Sequence, residues 1–175
     1  MKKANKIVYL TLGLLFVIVV VLALMNRGDR ELRRALEENR EFIVKIDGAD
    51  AAVVSFQTIL DMAPQEFATT FSTSVSAPRN TTLQGVELRI LLELLDIDIT
   101  GASHIIVTGL DSYYSPLTIS EVRQDSVVYI CYSMDGEILK PRSEGGFGPF
   151  MMVLRGSRFA QRWCKYVEAI DVINP

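Results

Sequence analysis

From Ile7 to Met25 the chain runs through nineteen residues, IVYLTLGLLFVIVVVLALM, without a charge, and no second run of that length follows. Wound as a helix at about 1.5 Å per residue, such a run rises about 28 Å, close to the hydrocarbon thickness of a bilayer. The apolar core of a secretory signal is shorter, about 7–15 residues, and ends on small residues. Here the run closes on Leu22-Ala23-Leu24-Met25-Asn26-Arg27, with neither a small-residue cleavage pattern nor a cysteine for lipid attachment. The pattern predicts an uncleaved transmembrane signal anchor over residues 7–25, behind a short cytoplasmic tail, residues 1–6. Lys2, Lys3 and Lys6 flank the run on one side and Arg27, Arg30, Arg33, Arg34 and Arg40 on the other, so positive charge alone does not orient it. The brevity of the leading tail favours an N-in orientation, a single pass through the cell membrane, and an extracytoplasmic C-terminal domain.

Residues 26–40 change character. GDRELRRALEENR, from Gly28, interleaves acids and bases at helical spacing. Glu31 with Arg34, and Arg34 with Glu38, make surface pairs of about 0.2–0.5 kcal/mol each. The segment reads as a solvated helical stalk. At Glu41 the period drops to two, and residues 41–175 read as one folded domain. Glu41 to Ile46 (EFIVKI) is a strand, Asp47-Gly48 a turn, and Ala52 to Phe56 a second strand. Ser55 caps a short helix, Phe56 to Met62, that stops before Pro64. Phe67 to Val75 alternates as a strand, and Ser76 to Leu83 (SAPRNTTL) reads as a loop. Val86 to Leu95 (VELRILLELL) is apolar nearly all round and predicts a deeply buried helix. Short strands follow at Ile105 to Thr108 and within Tyr113 to Ile119, then a helical turn at Ser120-Glu121-Val122. Ser126 to Met134 is a strong strand; Asp135-Gly136 is a hairpin turn that needs positive φ, with Glu137 to Lys140 returning. Phe150 to Leu154 and Tyr166 to Val172 complete the strands. Short strands with a few helices at irregular places indicate an α+β fold and not a doubly wound sheet.

Charge narrows the partners. The chain carries 18 basic and 21 acidic residues, a net of −3. Setting aside Lys2, Lys3 and Lys6, ahead of the apolar run, leaves 15 basic residues against the same 21 acids. No basic stripe with interleaved aromatics appears, so nucleic acid is excluded as a partner.

Few residues carry recognisable chemistry. His104 is the sole histidine, which excludes a His-rich metal site, and no G-x-S-x-G elbow surrounds any serine. Cys131 lies mid-strand and Cys164 near the end of the chain. Outside the membrane they are read as two buried thiols, a disulfide or a redox pair, since sequence does not give their separation. Gly145-Gly146-Phe147-Gly148-Pro149 lacks the Lys-Ser/Thr of a phosphate loop and reads as a tight turn that also serves a cleft rim. Tyr113 and Tyr114 are core-edge aromatics that can also stack on a flat ligand.

The order of segments resembles a known family. Ser55 to Leu60 with Pro64 behind it, Gly85 to Leu92 (GVELRILL), Asp111 to Ser115 (DSYYS) and Met134 to Leu139 (MDGEIL) are similar to successive motifs of the oxidoreductase molybdopterin-binding domain. So are Gly145-Gly146 with Pro149, and Arg162 to Val167 (RWCKYV). The resemblance implies mixed sheets with a few helices, as in the sulfite oxidase catalytic domain. It also implies a cysteine thiolate that ligates molybdenum, a soft charged donor suited to an oxo-transfer centre. Thr73 stands where that cysteine belongs, with Ser72 and Ser74 beside it, and none is a thiol. The family's arginine after the Gly-Pro turn falls on Met151. Arg162 and Lys165 do match the basic pair near the pterin phosphate, and Arg79 adds a cation from the preceding loop.

The resulting expectation is a membrane-anchored domain with no catalytic residues and no molybdopterin or metal. It binds a small anionic or heterocyclic ligand, or a protein partner, in a cleft formed by Thr73, Ser74, Arg79, Tyr113, Tyr114, Arg162 and Lys165. One alternative is a divergent molybdopterin-dependent oxidoreductase in which Thr73 or Ser74 faces the metal. Another is a structural interaction module of an envelope complex.

Overall fold

The computed structural model describes the backbone of residues 2–73, 76–156 and 162–175, and their side chains except at residues 2–8, 23–27, 29, 72, 73 and 76. Helix α1, Lys2–Asn39, is continuous. The chain divides into two units, Met1–Ala35 and Leu36–Pro175. In the first, every described side chain from Tyr9 to Leu22 is exposed. Among the described residues no helix is long and apolar enough to cross a membrane. The run at residues 7–25 extends beyond the described side chains at both ends.

The second unit begins inside α1, where Leu36 is buried, so the fold starts a little before the change of period at Glu41. Two five-strand sets build it. In the first, β1 (Glu41–Ile46) pairs antiparallel with the edge strand β2 (Ala49–Ser55). On its other side β1 runs parallel to β10 (Val167–Ile173), which pairs with β5 (His104–Gly109), and β5 with the edge strand β6 (Tyr114–Thr118). The last strand therefore enters the middle of the sheet. Asn174 ties it down through its amide and side chain, both donating to the Asp47 carboxylate at the β1–β2 turn.

The second sheet runs β3 (Gln65–Thr73), β4 (Ser76–Glu87), β7 (Val128–Met134), then β8 (Glu137–Ile138), with β9 (Met151–Leu154) also on β7. Every residue of β7 and β9 is buried. That explains why these two strands read as continuous apolar runs instead of alternating ones. Between the sheets Phe42 and Phe150 meet edge-on at 5.1 Å, and within the second sheet Phe67 packs on Tyr129 at 4.4 Å.

Most predicted elements stand within a few residues of their expected places. Ser55 caps α2 (Phe56–Asp61), accepting from the Thr58 amide, and Asp135-Gly136 turns with φ 54° and 82°. Two differ. The segment expected as a loop from Ser76 to Leu83 is the outer half of β4: Arg79 lies opposite Phe71, and Thr82 opposite Ala68. The side chains from Ala77 to Asn80 are exposed because this stretch reaches beyond β7 and pairs only with β3, while Thr81 is buried. The predicted Val86–Leu95 helix is shorter, since Val86 and Glu87 stay in β4. Helix α3 (Leu88–Leu94) buries Leu88, Leu91 and Leu92 but leaves Ile90 and Leu94 exposed. It is a one-faced helix on the fold's surface and not an enclosed one.

Candidate functional site

The β3–β4 hairpin supplies one face of the site. Strand alternation turns Phe71 inward, and it meets Phe147 of the glycine-rich turn at 5.2 Å and Trp163 at 5.8 Å. Two cations rest on this aromatic floor. The Arg79 guanidinium lies 5.8 Å from the Phe71 ring centre, and the Lys165 ammonium lies 5.8 Å from the same ring and 4.3 Å from Phe147. Contacts of this kind are worth about 0.5–2 kcal/mol, more as the cation loses water. Desolvation pulls the Lys165 ammonium below its ordinary value, and the nearby Asp111 carboxylate offsets part of that.

Arg79 is positioned by Asp135, at 2.9 Å, and donates to the Met134 sulfur at 3.4 Å. Asp135 in turn accepts from the Thr82 amide at 2.9 Å and the Thr81 hydroxyl at 2.7 Å. These bonds, led by the Thr82 amide, hold its carboxyl below the usual range. A hairpin turn and an adjacent strand thus orient the cation.

Arg162 faces different partners. Its guanidinium grips both oxygens of Glu121, at 2.5 and 3.0 Å, and donates to the Pro116 carbonyl at 2.9 Å. Its own carbonyl accepts from the Ser115 hydroxyl at 2.6 Å. The result staples the segment at Arg162 against edge strand β6. Glu121 sits at the start of α4 (Ile119–Arg123), where it and Thr118 cap the helix reciprocally. The Arg162 bonds, opposed by burial, bring the Glu121 carboxyl down to about 2.

The expected cleft residues therefore fall into groups. Arg79 and Lys165 share the Phe71 ring. Tyr113 neighbours Arg162 electrostatically, and its amide donates to Asp111 at 3.1 Å. Tyr114 is exposed on the edge strand β6. Thr73 closes β3 opposite Ser76, but its side chain and the whole of Ser74 lie outside the described residues. Phe71, Phe147, Trp163 and Glu121 were not singled out from the sequence. For Glu121 a signal existed, the Thr118-x-x-Glu spacing of a capping box; for the aromatics none did, because a floor looks like core.

The chemistry of the donor set bears on a molybdenum cofactor. The chain has two cysteines, and both are free and fully buried. Cys131 sits mid-β7 opposite Met151, where burial pushes its thiol far above the ordinary range. Cys164 bridges to Met152, and burial with the Asp111 charge pushes its thiol up to about 12. Neither offers a thiolate. Met151, standing for the family's arginine, is itself enclosed in β9. Among the described residues no cluster of three metal-binding side chains occurs. The residues present do not fit a metal held by a cysteine thiolate.

Comparison with known proteins places the fold. No curated protein matches the chain. Among solved structures, the crystal structure of the sulfane dehydrogenase SoxCD from Paracoccus pantotrophus superposes with a TM-score of 0.61 at 16% identity. The match covers 77% of this chain and 38% of that one, so the chain spans well under half of the solved relative's length. The model of the oxidoreductase molybdopterin binding domain matches residues 36–175. From Leu36, where the helix enters the fold, to its last residue, the chain belongs to the oxidoreductase molybdopterin-binding domain family.

Proposed function

We propose that this protein is a membrane-anchored, extracytoplasmic member of the molybdopterin-oxidoreductase family that has left catalysis and binds a small anionic or heterocyclic ligand, or a protein partner. One observation carries the reading: the chain's two thiols are both enclosed, Cys131 in β7 and Cys164 beside β9, where burial raises their pKa. Supporting a binding role, Arg79 and Lys165 stand over one aromatic ring, a surface suited to an anion or a flat ring system. In this reading Tyr113 with Tyr114 border the face on the β6 side. Supporting the anchor are the uncharged run of residues 7–25 and the exposed apolar side chains from Tyr9 to Leu22.

Two measurements test the two halves. Full-length protein made in a host competent for cofactor synthesis is denatured and oxidised, and its extract is read for pterin fluorescence. The expected signal is far below one pterin per chain; a stoichiometric one replaces this reading with the divergent oxidoreductase. Alkaline carbonate extraction of host membranes is expected to leave the protein in the pellet, and removal of residues 1–25 to release it. A full-length chain found in the wash contradicts the anchor.

A further inference from the structure

A second cavity, of about 570 Å³, opens between α4 and the end of β9, lined by Glu121, Gln124, Ser126, Arg155 and Arg162 among others. Arg79, Tyr114 and Lys165 are not in its wall. Its volume falls in the range of small-molecule sites. The two arginines in the wall differ in what they already hold. Arg162 is already paired, since Glu121 takes its guanidinium with both oxygens and the Pro116 carbonyl takes a further N–H. Arg155 has no carboxylate partner among the described residues. Its guanidinium lies 4.8 Å from the Phe67 ring centre and 5.8 Å from that of Tyr129, and it makes one long bond, 3.4 Å, to the Ser126 carbonyl.

That arrangement is a preorganised cation with its donors unspent. Contact with the two rings restrains the guanidinium, so less side-chain freedom is lost when a ligand arrives. Five N–H donors on a planar group match the paired oxygens of a carboxylate or phosphate. Gln124 and Ser126 add neutral polar residues to the same wall. Glu121 sets the limit: it neutralises Arg162 and presents negative charge to the same space, so the cavity suits one compact anion and not a chain of them.

We propose that this cavity is a binding site for a small soluble oxyanion, a carboxylate or phosphate, received by Arg155, with Arg162 withheld from it by Glu121. The site is separate from the Phe71 face and does not depend on the role proposed for that face.

The test is a calorimetric titration of the full chain in detergent with inorganic phosphate, and in parallel with acetate, at constant ionic strength. Saturable binding of at least one of them is expected. R155Q is expected to weaken it at least tenfold and R155K by less, while K45Q, on the opposite sheet, leaves it unchanged. E121Q is expected to tighten phosphate binding several-fold, because it both releases Arg162 and removes a like charge. Each variant is first checked by its melting curve; should R155Q not fold, the E121Q and R155K arms still decide. No saturable binding in the wild type, equal affinity in folded R155Q, or unchanged affinity in E121Q overturns the proposal.

Discussion

Glu121 joins three jobs in one carboxylate: it accepts from the Thr118 amide, receives the Thr118 hydroxyl, and grips Arg162. Such charge-assisted, two-pronged bonds are stronger than neutral ones. The folded carboxyl titrates near 2 against an ordinary value of 4.5. A depressed carboxylate contributes stability above its unfolded pKa and loses it as pH falls through the folded one. The contribution is thus complete above about pH 5 and drains away between 4.5 and 2. We expect E121Q to lower stability by about 1–2 kcal/mol at pH 7, and to flatten the acid limb of the stability curve over that window. Chemical denaturation at stepped pH reads both; an acid limb identical to wild type refutes the pairing. The two thiols show the opposite case, where burial alone decides. Nothing near Cys131 favours its charged form, so it behaves as a small apolar side chain that fills β7.

Strand β4 does the most positional work of any element, because it carries Arg79 at one end and the entry to α3 at the other. Between them Gly85 lies where the β4–β7 register shifts, opposite Cys131. A Cβ there would collide with the Ile130 carbonyl and crowd the Cys131 backbone at 2.7 Å. Since backbone cannot swing aside as a side chain does, Gly85→Ala is expected to cost about 1–3 kcal/mol, read as a lowered melting temperature. A wild-type melt contradicts the close approach. This element also shows where the sequence was legible and where it was not. Its last residues, Gly85, Val86 and Glu87, run directly into Leu88, so Val86 reads with the apolar run of the helix and the boundary was misplaced. Its outer half is polar because it reaches past β7 and pairs only with β3 there, and polarity with Pro78 reads as a loop. By contrast β1, β7 and the Asp135-Gly136 turn were plain, since pattern and turn chemistry there agree. The site was half legible. Arg79 and Lys165 were picked out as cations, but the ring that unites them was invisible among other core phenylalanines, and the Glu121 that occupies Arg162 emerges only once α4 is folded beside it.

At the scale of the molecule, the proposed reading is that the fold and the chemistry of the family have parted. Residues 36–175 keep the domain, and in the proposed reading Thr73 stands where the metal-ligating thiolate belongs and an enclosed Met151 where a cation belongs. Losing one buried or ligating group is a local change that leaves two sheets, their shared core and the C-terminal strand intact, so such a fold persists without its cofactor. The sequence is uncharged over residues 7–25 and alternates in several strands of the domain, and a period change near Glu41 marks where those strands begin. The central claim is that this domain does not carry molybdenum, and the most direct measurement is the molybdenum-to-protein ratio of the full-length chain. It is taken by elemental mass spectrometry after purification from a cofactor-competent host supplied with molybdate. The account predicts a ratio indistinguishable from a molybdenum-free control; a ratio near one atom per chain contradicts it.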